Sequence, residues 1–187
     1  MGFPKALLDY RGETFLDRLI GLFARYCEPV IAVVGAERER ICGALRTAGQ
    51  ATLIENPDFR LGQIVSMQCG LRAVPEDAEG VLFTLVDHPA VRAETIAALS
   101  GADTSVGASY LPDKLRIPRY QARRGHPILI PSPLIAEFLN LPPEATAREV
   151  IERHAAEIDY LEVDDPGILA DIDDPAAYQA LRAETSA

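Results

Sequence analysis

The sequence predicts an α/β protein: a three-layer sandwich with a mostly parallel sheet, formed as a single domain over residues 1–187. Three observations predict it. Short apolar runs rich in β-branched residues take turns with stretches of helical periodicity. Several of these runs stop abruptly at Gly or Pro, as buried parallel strands do. Hydrophobic residues make up 48% of 187 residues, enough for one sizeable core and too many for a disordered chain.

The elements follow in order. Phe15, Leu16, Leu19, Ile20 and Phe23 recur at helical spacing, so Glu13 to Tyr26 reads as an amphipathic helix. "PVIAVVG" (Pro29 to Gly35) is a buried strand. "AERERICGALRTAG" is a second helix stopped by Gly49, and "ATLIEN" a strand closed by Asn56-Pro57. Ile64, Met67, Leu71 and Val74 mark a third helix. "GVLFTLVDHP" is another buried strand, cut by Pro89; a helix over Ala93 to Leu99, the run "SVGASY" and the strand "GHPILI" come next. The tail holds a helix over Pro133 to Leu139, one near Arg148 to His154, the strand "IDYLEV" and a last helix from Pro175. The Pro-rich stretch Leu111 to Pro118 is expected to leave the main sheet.

Composition narrows the function. A net charge of −10 with no basic stripe argues against nucleic acid as partner. It leaves room for a nucleotide, because divalent metal bridges acidic groups to phosphate. No run reaches the length of a membrane span, so no membrane partner is expected. Cys27, Cys42 and Cys69 lie far apart without metal spacing and read as reduced thiols of a cytoplasmic protein.

In an open α/β sheet, ligands gather beyond the carboxyl ends of the parallel strands. The residues there are Gly35, Asn56-Pro57, Asp87-His88-Pro89 and, late in the chain, Asp171-Ile172-Asp173, with Lys5 at the start. Carboxylates with a Lys suit a nucleoside triphosphate and Mg²⁺: hard oxygens hold the ion and the ammonium offsets phosphate charge. Each residue also has a plain reading. Asp87 and one of Asp171 and Asp173 are placed to cap helices, Lys5 to sit on the surface, His126 to pack in the core. It is their joint order along the chain that is informative.

That order resembles one family. "MGFPKALLDYRGETFLDRLI" is similar to the segment after the glycine-rich loop of the molybdenum-cofactor nucleotidyltransferases, the MobA-like NTP transferases. "ENPDFRLGQIVSMQCGL" is similar to their Asn-Pro segment, "LFTLVDHP" to the metal-binding Asp-x-Pro, "RRGHPILI" to the Gly-His-Pro block and "DDPGILADIDDPAAY" to the closing motif. The resemblance covers essentially the whole chain. Met-Gly-x-Pro-Lys and Gly-His-Pro point to the branch of the CTP:molybdopterin cytidylyltransferases. Asp174 and Ala176 stand where the family usually has Thr and Glu. In the family a strand and a glycine-rich loop run directly into Met-Gly-x-Pro-Lys, so the resemblance implies one of two things: Met1 is internal to the motif, with this strand and half-loop upstream of it, which is the favoured expectation, or the chain is a shortened relative.

The resemblance implies a Rossmann-like nucleotidyltransferase fold and transfer of a nucleotidyl group, CMP from CTP, to molybdopterin with release of pyrophosphate. A different phosphorylated acceptor remains an alternative, as does a non-catalytic relative that binds molybdopterin or a molybdoenzyme. It further implies Mg²⁺ as cofactor and a molybdoenzyme or its chaperone as protein partner. Lys5 and Asp87 are then the catalytic candidates. Gly2, Lys5, Gly35, Asn56 and Ser66 are candidates for the nucleotide. Asp87, Asp171 and Asp173 are those for the metal, and His126, Arg124 and His88, with Arg123 nearby, those for the acceptor.

Overall fold

Strands and helices alternate as predicted in the computed structural model, which describes residues 3–102 and 113–185. A hairpin of β1 (Asp9–Tyr10) and β2 (Glu13–Thr14) turns through Arg11 and Gly12, both at positive φ (57° and 81°). It feeds α1 (Phe15–Phe23), β3 (Ile31–Val34), α2 (Arg38–Ala44), β4 (Thr52–Glu55), α3 (Gln63–Leu71), β5 (Gly80–Phe83) and α4 (Ala93–Leu99). After the undescribed residues come β6 (Arg116–Tyr120), β7 (Arg123–Arg124), β8 (Ile128–Pro131), α5 (Ser132–Leu139), α6 (Ala147–Arg153), β9 (Asp159–Glu162) and α7 (Pro175–Thr185). The run "SVGASY" and the first part of the Pro-rich stretch lie outside the described residues.

The main sheet has five strands, in the order β5-β8-β6 with β7 and β9 both on β6. Strands β5, β6 and β9 run one way, and β8 runs against them. Helices cover both faces, and β5 shows how. Val81 and Phe83 pack towards α3, α5 and α6, around Met67, Phe138 and Val150. Leu82, between them, faces α1 and α4, around Leu19, Phe23 and Ile96. The period of two along a strand sorts its side chains between the layers.

Strands β3 and β4 form a separate parallel pair, in register from Ile31↔Thr52 to Val34↔Glu55. The carboxyl ends of β3 and β5 lie together, because Val34 and Val86 share one apolar cluster. Between the two strands runs a groove of about 520 Å³, walled by residues 30–33 and 80–86 and lined by α1 on one face and α3 on the other. Among the described residues no strand pairs with the edges of β3 and β5 that border it.

Several boundaries differ from the sequence reading. The Pro-rich stretch does not leave the sheet: Arg116–Pro118 opens β6, a central strand paired with β7, β8 and β9. Leu115 and Ile117 are buried in the main core, and Arg116, 1% exposed, bonds Asp159 on β9 at 2.6 Å. Pro118 lacks a donor, but its carbonyl accepts from Gly125 N at 3.0 Å. Helix α2 ends at Ala44, not at Gly49. The buried carboxylate of Asp17 captures the Arg46 and Thr47 amides, each at 2.8 Å, and draws the chain out of the helix. Val74 falls beyond the end of α3 but still packs on the core.

Gly125 sits where a Cβ would come within 2.3 Å of the Ile168 carbonyl oxygen and 2.7 Å of its carbon. Backbone on the opposite side cannot give way as a flexible side chain would. We expect Gly125→Ala to lower stability by about 1–3 kcal/mol, the scale of overpacking a closed site, measured as a shift of the urea midpoint.

Candidate active site

The loop that leaves β5 delivers Asp87 to the carboxyl end of the sheet, as the sequence predicts. What completes the site comes from the far end of the chain. Asp165 is 2% exposed and accepts from the Arg92 amide (2.9 Å), the Thr95 hydroxyl (2.6 Å) and the Gly167 amide (2.9 Å). It fixes a 3-10 turn over Pro166–Leu169. The chain then passes the Gly-His-Pro block, where His126 N donates to Ile168 O at 3.0 Å, and the loop after β5, where Ile172 N donates to Asp87 O at 3.0 Å. These bonds set Asp171 and Asp173 on either side of Ile172, which anchors in an apolar cluster with Phe15.

Lys5, on a short 3-10 turn over Lys5–Leu7 before β1, closes the group. Its Nζ lies 3.1 Å from Asp87 Oδ2 and 2.5 Å from Asp173 Oδ1. Burial lowers the Lys5 pKa, but the bonds to Asp173 and Asp87 outweigh it, so the ammonium is held above its ordinary value. Asp173, bonded to Lys5, is lowered in turn. Asp171 is raised, first by desolvation and then by the charges of Asp87 and Asp173.

Two histidines back the acids. His88 and His126 lie with ring centroids 4.7 Å apart, and Phe83 meets His126 edge-on at 6.2 Å. His88 is lowered by burial, against the pull of Asp87 and Asp173. His126 is pushed down to about 4, by burial first and then by His88. Both rings are therefore neutral near pH 7.

The donor set fits a divalent cation. Asp87, His88 and Asp171 each offer a ligand atom within 4.8 Å of the others, and Asp87 Oδ1 is buried with no hydrogen-bond partner among the described residues. Lys5 uses the other oxygen of Asp87. A bound cation would satisfy the free one.

Lys5, Asp87, His88, His126, Asp171 and Asp173 thus lie together in the structure. Arg124 stands exposed on the β7 hairpin with Arg123, two residues before His126; no bond joins it to the acids among the described residues. Gly2 lies outside the described residues. Asn56 and Ser66 do meet, but each other: Asn56 Nδ2 donates to Ser66 Oγ at 2.9 Å, while Asn56 Oδ1 accepts from Asp58 N at 3.0 Å. At Gly35 the expected room for a nucleotide is taken by protein, since a Cβ there would come within 2.6 Å of the Phe59 Cβ. Asn56 shapes a turn and Gly35 admits an aromatic ring. Sequence reasoning passed over Asp165, whose signal was an acid directly before Pro-Gly, a place for a turn-forming side chain.

Because His126 is held at about 4 against 6.5 when free, the unfolded chain binds the extra proton between those values. Its contribution to stability is present above pH 6.5 and is lost as pH falls towards 4. We expect unfolding of the native protein near pH 5 to take up about one proton more than unfolding of His126→Asn. The slope of unfolding free energy against pH measures it, and identical slopes would remove the buried neutral imidazole.

Comparison with known proteins places this geometry. Residues 1–158 match the MobA-like NTP transferase domain. The chain is 25% identical over 178 residues to the molybdenum cofactor cytidylyltransferase of Escherichia coli (strain K12), covering 94% of this chain and 85% of that protein. It is 26% identical over 181 residues to the nicotine blue oxidoreductase of Paenarthrobacter nicotinovorans, covering 91% and 83%. The crystal structure of Rv0371c from Mycobacterium tuberculosis H37Rv in complex with manganese superimposes with a TM-score of 0.76 at 22% identity, over 96% of this chain and 92% of that one, a likeness of fold.

Proposed function

This chain belongs to the MobA-like NTP transferase domain family, and from that membership we propose that it transfers a nucleotidyl group, CMP from CTP, to the terminal phosphate of a molybdopterin-type acceptor. The observation that carries the reading is the convergence of Lys5, Asp87, Asp171 and Asp173 at the carboxyl end of β5. An acceptor phosphate oxygen attacks the α-phosphorus of the triphosphate. The α–β bridging bond breaks, and pyrophosphate leaves with its electron pair. The ground state and the transition state are both crowded with negative charge, so positioning and charge compensation do most of the catalysis.

Lys5 supplies a fixed positive charge to the phosphates, exchanging Asp173 for them on binding. Asp87, with Asp171 or Asp173, holds a divalent cation such as Mg²⁺, which supplies the remaining charge compensation. His126 and Arg124, with His88 behind them, line the acceptor side, where an anionic pterin phosphate needs donors. Asn56, 3% exposed, and Ser66 would reach a base or ribose only by exchanging the bond they make to each other. The relative named as a molybdenum cofactor cytidylyltransferase supports cytidine and the pterin acceptor. No helix among the described residues is long and apolar enough to cross a membrane, in keeping with a reaction placed in the cytoplasm. Delivery of the product to a molybdoenzyme or its chaperone completes the proposed role.

Asp87→Asn removes one charged ligand and leaves Lys5 paired with Asp173 alone. We expect it to fold normally by circular dichroism and to lose at least about a hundredfold in turnover with CTP. Undiminished turnover would take Asp87 out of the mechanism.

Base choice has its own measurement. In a thermal-shift titration with Mg²⁺, we expect CTP to raise the melting temperature more than GTP at equal concentration, because a ligand that binds only the folded state stabilises it. Equal shifts would leave cytidine unsupported, and a larger GTP shift would reverse the assignment.

A further inference from the structure

We propose that His88 is itself a metal ligand, making with Asp87 and Asp171 a mixed nitrogen–oxygen centre that binds Mn²⁺ in preference to Mg²⁺. The proposal rests on reading this cluster as the metal site of a nucleotidyltransferase. A group of carboxylates alone would not carry it. The independent observation is the imidazole. His88 is 6% exposed, and its Nδ1 is buried with no hydrogen-bond partner among the described residues. Its Nε2 lies 4.0 Å from Asp87 Oδ1, an oxygen that is also buried and unpartnered.

Buried polar atoms without partners are rare, and Asp87 Oδ1 is one that faces the other nitrogen of this ring, Nε2, which makes no hydrogen bond among the described residues either. At 4.0 Å Nε2 and Oδ1 are too far apart to bond each other. They are at the right distance to share an ion, because two metal–ligand bonds of about 2.1 Å span up to about 4.2 Å. Lys5 occupies Oδ2 of Asp87 and leaves Oδ1 to the ion. Asp171, exposed and on the returning loop, supplies the third atom, all three lying within 4.8 Å of one another. The His126 ring, 4.7 Å from His88 and tilted by 39°, limits rotation of the imidazole and so keeps its nitrogen directed at the acids.

The chemistry of the donors sets the preference. Mg²⁺ favours oxygen and retains its waters; Mn²⁺ shares the liking for oxygen but, as the first of the divalent transition series, also accepts an imidazole. A centre of two carboxylates and one buried imidazole therefore raises affinity for Mn²⁺ more than for Mg²⁺. A site using carboxylates alone would hold both through the same oxygens.

The test uses the native protein without nucleotide. Mn²⁺ is titrated by electron paramagnetic resonance and Mg²⁺ by competition, for the native protein, His88→Gln and His126→Gln. We expect His88→Gln to weaken Mn²⁺ by at least about tenfold, the scale on which even outer-shell partners act, and Mg²⁺ by much less. Pulsed spectroscopy of the Mn²⁺-loaded native protein should show coupling to ¹⁴N that persists in His126→Gln and vanishes in His88→Gln. Should His88→Gln fail to fold, the coupling in the native protein and in His126→Gln still decides. Mn²⁺ bound without nitrogen coupling, or equal losses for both ions, overturns the proposal. Nitrogen-coupled Mn²⁺ in a protein that transfers no nucleotide would sink the reaction and leave the ligand; transfer without that coupling would do the reverse.

Discussion

The site depends on one long-range tie: the backbone hydrogen bonds that hold the segment from Ile168 to Ile172 against the Gly-His-Pro block and the loop after β5. Without them Asp171 and Asp173 would be exposed acids ahead of a terminal helix. With them, three carboxylates and a lysine from opposite ends of the chain occupy one place. The tie is enforced sterically as well. At Gly125 a side chain would strike Ile168, and at Gly167 a Cβ would come within 2.2 Å of the Ala90 carbonyl oxygen. Two glycines let three backbones approach closely, and buried Asp165 fixes the turn that brings them there.

This arrangement leaves the centre electrically unsatisfied. Lys5 answers two of the carboxylates, Asp171 is raised by desolvation first and then by their charge, and Asp87 Oδ1 and the Nδ1 atoms of His88 and His126 are buried without partners among the described residues. Each such atom costs about 1–3 kcal/mol by the usual measure of an unmade buried hydrogen bond. A core that existed only to be stable would replace these residues with apolar ones. Their clustering at the carboxyl end of one strand, where α/β sheets receive ligands, is the physical case for a site that a cation and phosphates complete.

How much of this was legible in the sequence varies with the range of the interaction. The apolar runs of β3 and β8 were readable because burial on both faces leaves a continuous apolar signature. Lys5, Asp87 and the Asp171-Ile172-Asp173 motif were readable as a set through their order along the chain. What failed was local inference about single residues. The prolines around β6 suggested a stretch outside the sheet, yet Leu115 and Ile117 are core and the carbonyl of Pro118 is used in the sheet. Gly35 suggested an approach for a ligand, but Phe59 fills the space. The second helix looked longer than it is, because nothing in its own residues reveals that Asp17, a turn of another helix, captures its next amides.

The same distinction bears on how the two halves of the molecule are aligned. No strand ladder joins β3 to β5 among the described residues, so hydrogen-bond register does not set the distance from Asn56 and Ser66 to Lys5 and Asp87. That task is shared by α3, which packs on β3 and on Val81 and Phe83 of β5, and by α1. Its Leu16 packs with Val34 of β3, its Leu19, Leu22 and Phe23 with Leu82 of β5, and its Phe15 with Ile172 of the returning segment. A helix apolar on most of its circumference is suited to that place, since it has three surfaces to serve. Dispersion and burial are not directional, so such contacts fix position less sharply than a ladder does. Asn56 and Ser66 are therefore linked to the acid centre through side-chain packing, and the precision of the site resides in the acids' own backbone ties.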